Sequence, residues 1–253
     1  NDHGNLRKRL FILLEQRVSP LCDAIITLTE GLRQELAQVY HIARRGRITV
    51  LPLGMELDQF VNMPRHCMVF RNQWRIESDV PLIGTVGRLA PIKNHTLFLE
   101  AAVLVLRRFP RARFAIVGDG EERRRLERLA NRLGLGDSVI FTGWQKDVVP
   151  IYSDLSVNVI SSIHEGTPVS VIEALASGCP VVATRVGGLP DLLQGGELGQ
   201  LVTPDDPQAL ADAIIAMLEH PPDMQLVQAT ILDNYGIDRL INDLDSLYQG
   251  LLA

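Results

Sequence analysis

Residues 161–182 read SSIHEGTPVSVIEALASGCPVV. An apolar run at 155–160 leads in, and a polar segment separates it from a helical pattern. Thr167 has the chemistry of an N-cap, and Pro168 suits the first helical position, where a missing N–H costs nothing. Gly178 ends the helix, and Pro-Val-Val-Ala at 180–183 begins another short strand. The stretch therefore reads as strand, loop, helix, glycine, strand, with Glu165 ahead of the helix and Glu173 inside it. The unpaired N–H groups of Val169 and Ser170 at the helix start favour an anion. Two carboxylates beside an anion-attracting helix end suit a ligand that carries both hydroxyls and phosphate.

Outward from this stretch the same alternation repeats. Strands are expected at 81–87, 113–118, 138–142, 155–161, 180–184 and 199–202, with helices at 94–109, 121–133, 207–219 and 222–234. Strands separated by helices imply right-handed crossovers and a mainly parallel sheet covered on both faces. In such sheets ligands bind beyond the carboxyl ends of the strands. Further upstream, a helix at 6–17 precedes short strands at 24–29 and 48–52, with a Thr29-capped helix at 30–40 between them. Residues 55–64 show no strong periodicity and read as a linker, followed by a helix at 65–74. Residues 239–253 form a last helical pattern beyond the alternating region.

The 253-residue length allows one large or two modest α/β domains. The net charge of −5 gives no support for nucleic-acid binding. Arginine clusters at 7–9, 44–47, 107–113 and 123–125 read as solvated helix faces and ends; the sharper alternative is a peripheral contact with an anionic membrane surface. Three widely spaced cysteines, Cys22, Cys67 and Cys179, show neither metal-ligand spacing nor a disulfide framework, which points to a reducing cytoplasm. No apolar run reaches the eighteen residues of a membrane span. The chain starts without an initiator methionine or a signal-peptide pattern, as a fragment would.

Three strand ends carry candidate chemistry. After the strand at 81–87, Gly87 allows close backbone approach, and Arg88 and Lys93 share one loop. A guanidinium and an ammonium converging from that loop can neutralise a diphosphate. Gly118-Asp119-Gly120 lacks the third glycine of a dinucleotide fingerprint and reads mainly as a tight turn. Around Gly143, Trp144 and Gln145, backbone groups could read a nucleobase edge, while the Trp144 side chain reads equally well as packing. His95 and His164 adjoin key residues but lack partners at metal-ligand spacing. No Walker loop, nucleophile elbow or His-Glu-x-x-His motif is present.

Six motifs stand in order: Gly87-Arg88-Leu89 with Lys93-Asn94; 117–120, Val-Gly-Asp-Gly; 141–143, Phe-Thr-Gly; Glu165-Gly166 with Glu173-Ala174; Gly178-x-Pro-Val-Val-Ala; and 187–190, Gly-Gly-Leu-Pro. Together they resemble the donor-binding half of a retaining glycosyltransferase of glycosyltransferase family four, with the GT-B fold. The likeness runs from about residue 20 to the C-terminus, and the two glutamates match that family's pair. It implies an α/β fold with a Rossmann-like parallel sheet, helices on both faces, and a remnant of an N-terminal domain. The implied division is 1–60 for that remnant and linker, 61–235 for the nucleotide-sugar domain, and 236–253 for a helix that packs back on the N-terminal part.

The resemblance also implies roles. Glu173 would accept hydrogen bonds from the ribose hydroxyls, and Glu165 would hold donor-sugar hydroxyls beside the reacting carbon. Arg88 and Lys93 would bind the departing diphosphate, joined by the N–H groups of Val169 and Ser170 in the segment Gly166, Thr167, Pro168. Backbone around Gly87 and at Gly143, Trp144 and Gln145 would line the nucleotide site. No metal and no cofactor is expected, the nucleotide sugar being a substrate. The expected partners are a UDP- or GDP-sugar and a glycan or lipid-linked acceptor, handled in the cytoplasm or at the inner face of the membrane.

Two departures qualify the likeness. Many relatives have glycine where Pro168 stands, which removes one N–H donor and leaves the next two. Most of the acceptor half of the GT-B fold is missing, so apolar surface around Ile25, Leu28 and Leu51 would be exposed. Two other readings therefore stand beside transfer: a non-catalytic nucleotide-sugar-binding subunit that needs an acceptor domain in trans, and a sugar-nucleotide epimerase on the same architecture. The second needs acid and base residues from both halves, and the combination of Arg88 and Lys93 with Glu165 and Glu173 argues against it.

Overall fold

The structure, a computed structural model, describes residues 2–252, with side chains from residue 8 onward. The Arg7 side chain, Asn1 and Ala253 lie outside the described residues. The chain divides into two compact units: residues 1–55 with 234–253, and residues 56–233.

The larger unit holds six strands, β3 (Leu82–Val86), β4 (Arg113–Val117), β5 (Val139–Gly143), β6 (Val157–Ile160), β7 (Val181–Thr184) and β8 (Gln200–Val202). All neighbours pair in parallel, in the order β5-β4-β3-β6-β7-β8. Chain order reverses between β3 and β6, which opens a crevice at the carboxyl ends of those two strands. The strands are short and mostly apolar, and the four inner ones, β4, β3, β6 and β7, are almost fully covered, as a sheet with helices on both faces requires.

One face carries α5 (His95–Arg108), α6 (Arg123–Arg132) and α10 (Pro207–Glu219), which join Ile83, Phe114, Val157 and Val182 in one core. Phe98 and Phe114 meet edge to face there, with ring centroids 5.9 Å apart. α7 (Val149–Asp154) and α8 (Val169–Ala176) pack with one another and α8 with β6 and β7. The expected linker holds a helix of its own, α3 (Asp58–Asn62). Phe60 is buried and its ring meets that of Tyr152, centroids 6.1 Å apart. One aromatic anchor is too short a pattern to show as periodicity. The helix expected at 65–74 is shortened to α4 (Val69–Gln73), because Met68 takes a left-handed conformation. Arg71, fully buried, donates to the carbonyls of Asp154, Glu77 and Val80, while the Asp154 carboxylate accepts from the amides of Met68 and Arg71. The larger unit also contains the four-residue α9 (Leu189–Leu192) and most of α11 (Met224–Tyr235).

The smaller unit contains α1 (Asp2–Val18), β1 (Ile25–Thr27), α2 (Glu30–Gln34) and β2 (Ile48–Val50), with β1 and β2 in parallel. Thr29 caps α2, its hydroxyl oxygen accepting from the Leu32 amide at 3.1 Å. A π-helical turn at Glu35–Val39 replaces the continuous helix expected to 40. The last helix, α12 (Ile237–Leu252), is fastened within this unit. Arg239 donates to the carbonyls of Pro52 and Leu53 at 2.7 and 2.8 Å, and Gly54 has no β-carbon to meet Leu240. Of the residues expected at the surface, Leu28 is exposed and Ile25 half-buried, but Leu51 is buried. No described helix is long and apolar enough to cross a membrane.

Candidate functional site

The crevice between β3 and β6 gathers the candidate residues from two loops. Lys93 follows β3 and Glu165 follows β6. Lys93 Nζ stands 2.6 Å from Glu165 Oε1. The same oxygen accepts from the Ser162 hydroxyl at 2.5 Å. Glu165 and Ser162 are both buried, so the carboxylate has one oxygen immobilised by a cation and a hydroxyl. The loops themselves are tied together, with Ser161 Oγ donating to the Lys93 carbonyl at 3.0 Å and the Ile163 amide to the Ile92 carbonyl at 2.9 Å. Thr184, at the end of β7, donates to the Ser162 carbonyl at 2.6 Å.

Behind Glu165 the chain is held by the loop after β7. The Gly188 amide donates to the Glu165 carbonyl at 3.1 Å. Gly187 has a φ of +54°, and any β-carbon there would overlap that same carbonyl. Glycine is therefore required for two reasons at once. Its motif was visible in the sequence, but its task of backing Glu165 was not.

Arg88 does not converge with Lys93 as expected. Its guanidinium lies 3.0 Å from Glu121 on the loop after β4, and both side chains are exposed. That loop is in register with its neighbour, since Leu89 receives a bond from the Glu122 amide and gives one to the Asp119 carbonyl. Arg88 also borders an open cavity of about 390 Å³ lined by Gly87, Gly118, Asp119, Trp144, Gln145 and Val148 among others. Trp144 is 72% exposed, so its side chain is not a packing residue. Gln145 Nε2 donates to the Thr142 carbonyl at 3.2 Å.

At the start of α8 the expected cap is displaced by one residue. Pro168, with extended backbone, is the N-cap, and Val169 rather than Pro168 is the first helical residue. Thr167 makes no cap bond, because proline has already fixed the entry angle that a capping side chain would otherwise set. Val169 and Ser170 remain the first two amides of the helix, which have no intrahelical acceptor. Glu173, one turn further, is half-buried, and Tyr152 donates to its Oε2 at 3.0 Å. Burial pushes the Glu173 carboxyl above its ordinary range, and the Tyr152 hydroxyl opposes that push. His164 is exposed. His95, by contrast, is buried, and no partner for its Nδ1 occurs among the described residues. Burial, then the charge of Lys93, bring its pKa down to about 4.

This arrangement offers cations, helix-start amides and two carboxylates at the switch point of a doubly wound sheet. The family model described as Glycosyl transferases group 1 matches residues 80–220, more than half of the chain. The chain belongs to the group 1 glycosyl transferases. Among its relatives, a D-inositol 3-phosphate glycosyltransferase of Corynebacterium jeikeium is 33% identical over 83% of this chain and 55% of that protein. The lipopolysaccharide core biosynthesis glycosyltransferase LpsE of Rhizobium meliloti is 34% identical over 76% of this chain and 53% of its own length. This chain thus spans about half the length of these relatives. HepE of Anabaena, solved in complex with UDP, shares the fold with a TM-score of 0.84 at 21% identity, covering 92% of this chain and 65% of that one. A further structure of HepE is in complex with UDP-glucose. The kinship expected from the sequence holds at the level of group 1, and so does the α/β fold.

Proposed function

We propose that this chain forms the donor site of a retaining, metal-independent transfer of a sugar from a nucleotide sugar to a glycan or lipid-linked acceptor. The observation that carries the reading is the Lys93–Glu165 pair at the crevice, with the amides of Val169 and Ser170 following Glu165 in the chain. Cleaving a sugar–phosphate bond builds negative charge on the diphosphate and positive charge on the sugar ring. Lys93 and the two amides would meet the first, joined by Arg88 once its exposed pairing with Glu121 is released, and the Glu165 carboxylate would meet the second. Each prearranged donor is worth roughly 10²–10³ in rate in other enzymes. Glu173 would accept from the ribose, and the cavity beside Gly87, Gly143, Trp144 and Gln145 would take the base. No side-chain nucleophile is assigned.

A UDP-sugar is the favoured donor, because UDP and UDP-glucose are bound by HepE, which has this fold. GDP-sugars are the alternative. The working place remains the cytoplasm or the inner membrane face.

Calorimetric titration with UDP, GDP and ADP tests the reading. One base is expected to bind saturably, and EDTA is expected to leave its affinity unchanged. A folded chain that binds none of the three overturns the donor-site assignment; affinity abolished by EDTA overturns metal independence.

A further inference from the structure

Tyr152 lies outside the motifs that mark the donor site, on a helix between β5 and β6. Its side chain is fully buried, yet its hydroxyl reaches Glu173 Oε2 at 3.0 Å. Phe60, also buried, stands against its ring. A second clamp holds its backbone: Arg65, on the segment before α4, donates to the carbonyls of Tyr152 and Leu155 at 2.5 and 2.6 Å. A tyrosine held at ring and backbone has little freedom to aim elsewhere, so the position of its oxygen is dictated by the fold. An apolar ring in the same place would pack as well. The hydroxyl is therefore the part that packing does not explain.

We infer that Tyr152 is a positioning residue, which aims the Glu173 carboxylate and keeps it an acceptor for the ribose hydroxyls of the donor. The inference rests on the donor-site reading above. A protonated carboxyl gives up one acceptor site to its own O–H and accepts more weakly at the other oxygen, and a half-buried carboxylate tends to hold a proton. The Tyr152 hydroxyl donates to Glu173 Oε2, which stabilises the charged form and leaves Oε1 for the ligand. The Glu173 carboxyl is raised by burial and lowered by this one hydrogen bond. The tyrosine's own ionisation is raised by burial, then by the Glu173 charge, so it stays a donor at every pH of interest. Other ionisable groups on the elements packed against α8 are accounted for. Asp154 on α7 is engaged by the amides of Met68 and Arg71, and Asp58 sits at the first position of α3. Cys179, buried beyond the end of α8, acts on Tyr152 and has its thiol raised to about 11 by burial.

The test is UDP titration (GDP, should the guanosine series be the one bound) into the wild-type chain, Tyr152→Phe and Glu173→Ala from pH 5.5 to 8. Tyr152→Phe is expected to weaken binding about tenfold at pH 5.5 and about twofold at pH 8, because the lost bond matters most where the proton competes. Its binding should therefore fall away at a higher pH than that of the wild type. Phe60→Leu, which disturbs the ring and spares the hydroxyl, should weaken binding evenly across the range. A Tyr152→Phe profile parallel to the wild type, while Glu173→Ala still weakens binding, overturns the positioning role and leaves the donor site standing. Unchanged binding in Glu173→Ala overturns both. If Tyr152→Phe does not fold, 3-fluorotyrosine in the natural chain serves instead. As a stronger donor it must carry binding to lower pH, and an unmoved profile refutes the inference.

Discussion

Glu173→Ala is expected to weaken UDP binding by about 1.5–3 kcal/mol, the usual scale of a hydrogen bond to a charged group and roughly ten- to more than hundredfold in affinity. The wild-type carboxylate is half-buried and its pKa is raised, so the unliganded chain bears the cost of desolvating it. On the proposed reading, ribose hydroxyls would offset that cost when a nucleotide binds. The same logic gives a signature that distinguishes function from scaffolding. Glu173→Gln keeps an acceptor for the Tyr152 hydroxyl and removes the buried charge. At neutral pH it should unfold at higher urea than the wild type while binding UDP less tightly. The sign follows from the raised carboxyl: the folded state holds its proton more strongly than the unfolded state, so this group's contribution declines as pH rises through its titration. Glutamine has no such slope. Wild-type affinity in Glu173→Ala would show that the ribose is held elsewhere.

Acid is expected to cost the fold about 3 kcal/mol through His95 alone. The imidazole is buried at the first position of α5, next to the loop that carries Lys93, and its pKa is brought to about 4 from the ordinary 6.5. Burial is the main cause, and the Lys93 charge adds to it, against the weaker pull of Glu122. Because the folded value is depressed, the unfolded chain takes up a proton first as pH falls. Stability from this group is complete above pH 6.5, about 2 kcal/mol of it is gone by pH 5, and the loss levels off below 4. Urea midpoints of the wild type and His95→Gln between pH 7.5 and 4 measure the difference, since every other titrating group is common to both. Identical slopes in the two proteins would mean that His95 is protonated in the folded chain.

Much of the larger unit is legible in the linear chain. Strands at β3 to β8 are short apolar runs closed by glycine or a polar turn, and helices α5 and α10 carry continuous amphipathic patterns. These signals are local, so each lies within one element. Arg88, Lys93 and Glu165 could be singled out because each follows a strand, and Glu173 because it lies one turn into the helix that follows Glu165. What they touch could not be singled out. Lys93 meets Glu165 across 72 residues and Arg88 meets Glu121 across 33. Tyr152 belongs to none of the sequence motifs, and only the structure shows its hydroxyl on Glu173. Thr167 is a better cap by chemistry than Pro168, yet proline's fixed φ decided where the helix begins. α3 has one buried anchor, Phe60, and a single anchor leaves no period to detect.

The sequence alone determined the alternation of strands and helices, the placing of cations and carboxylates at strand ends, and the group 1 kinship, because these depend on neighbours within a few residues. The tertiary structure decided the rest. The order β5-β4-β3-β6-β7-β8 brings the loops after β3 and β6 side by side, and only then does a lysine find its glutamate. It also placed α12 in one unit with residues 1–55, through an arginine that reaches carbonyls 186 and 187 positions away. Such contacts are selected by the packing of whole elements, which no stretch of sequence can settle by itself.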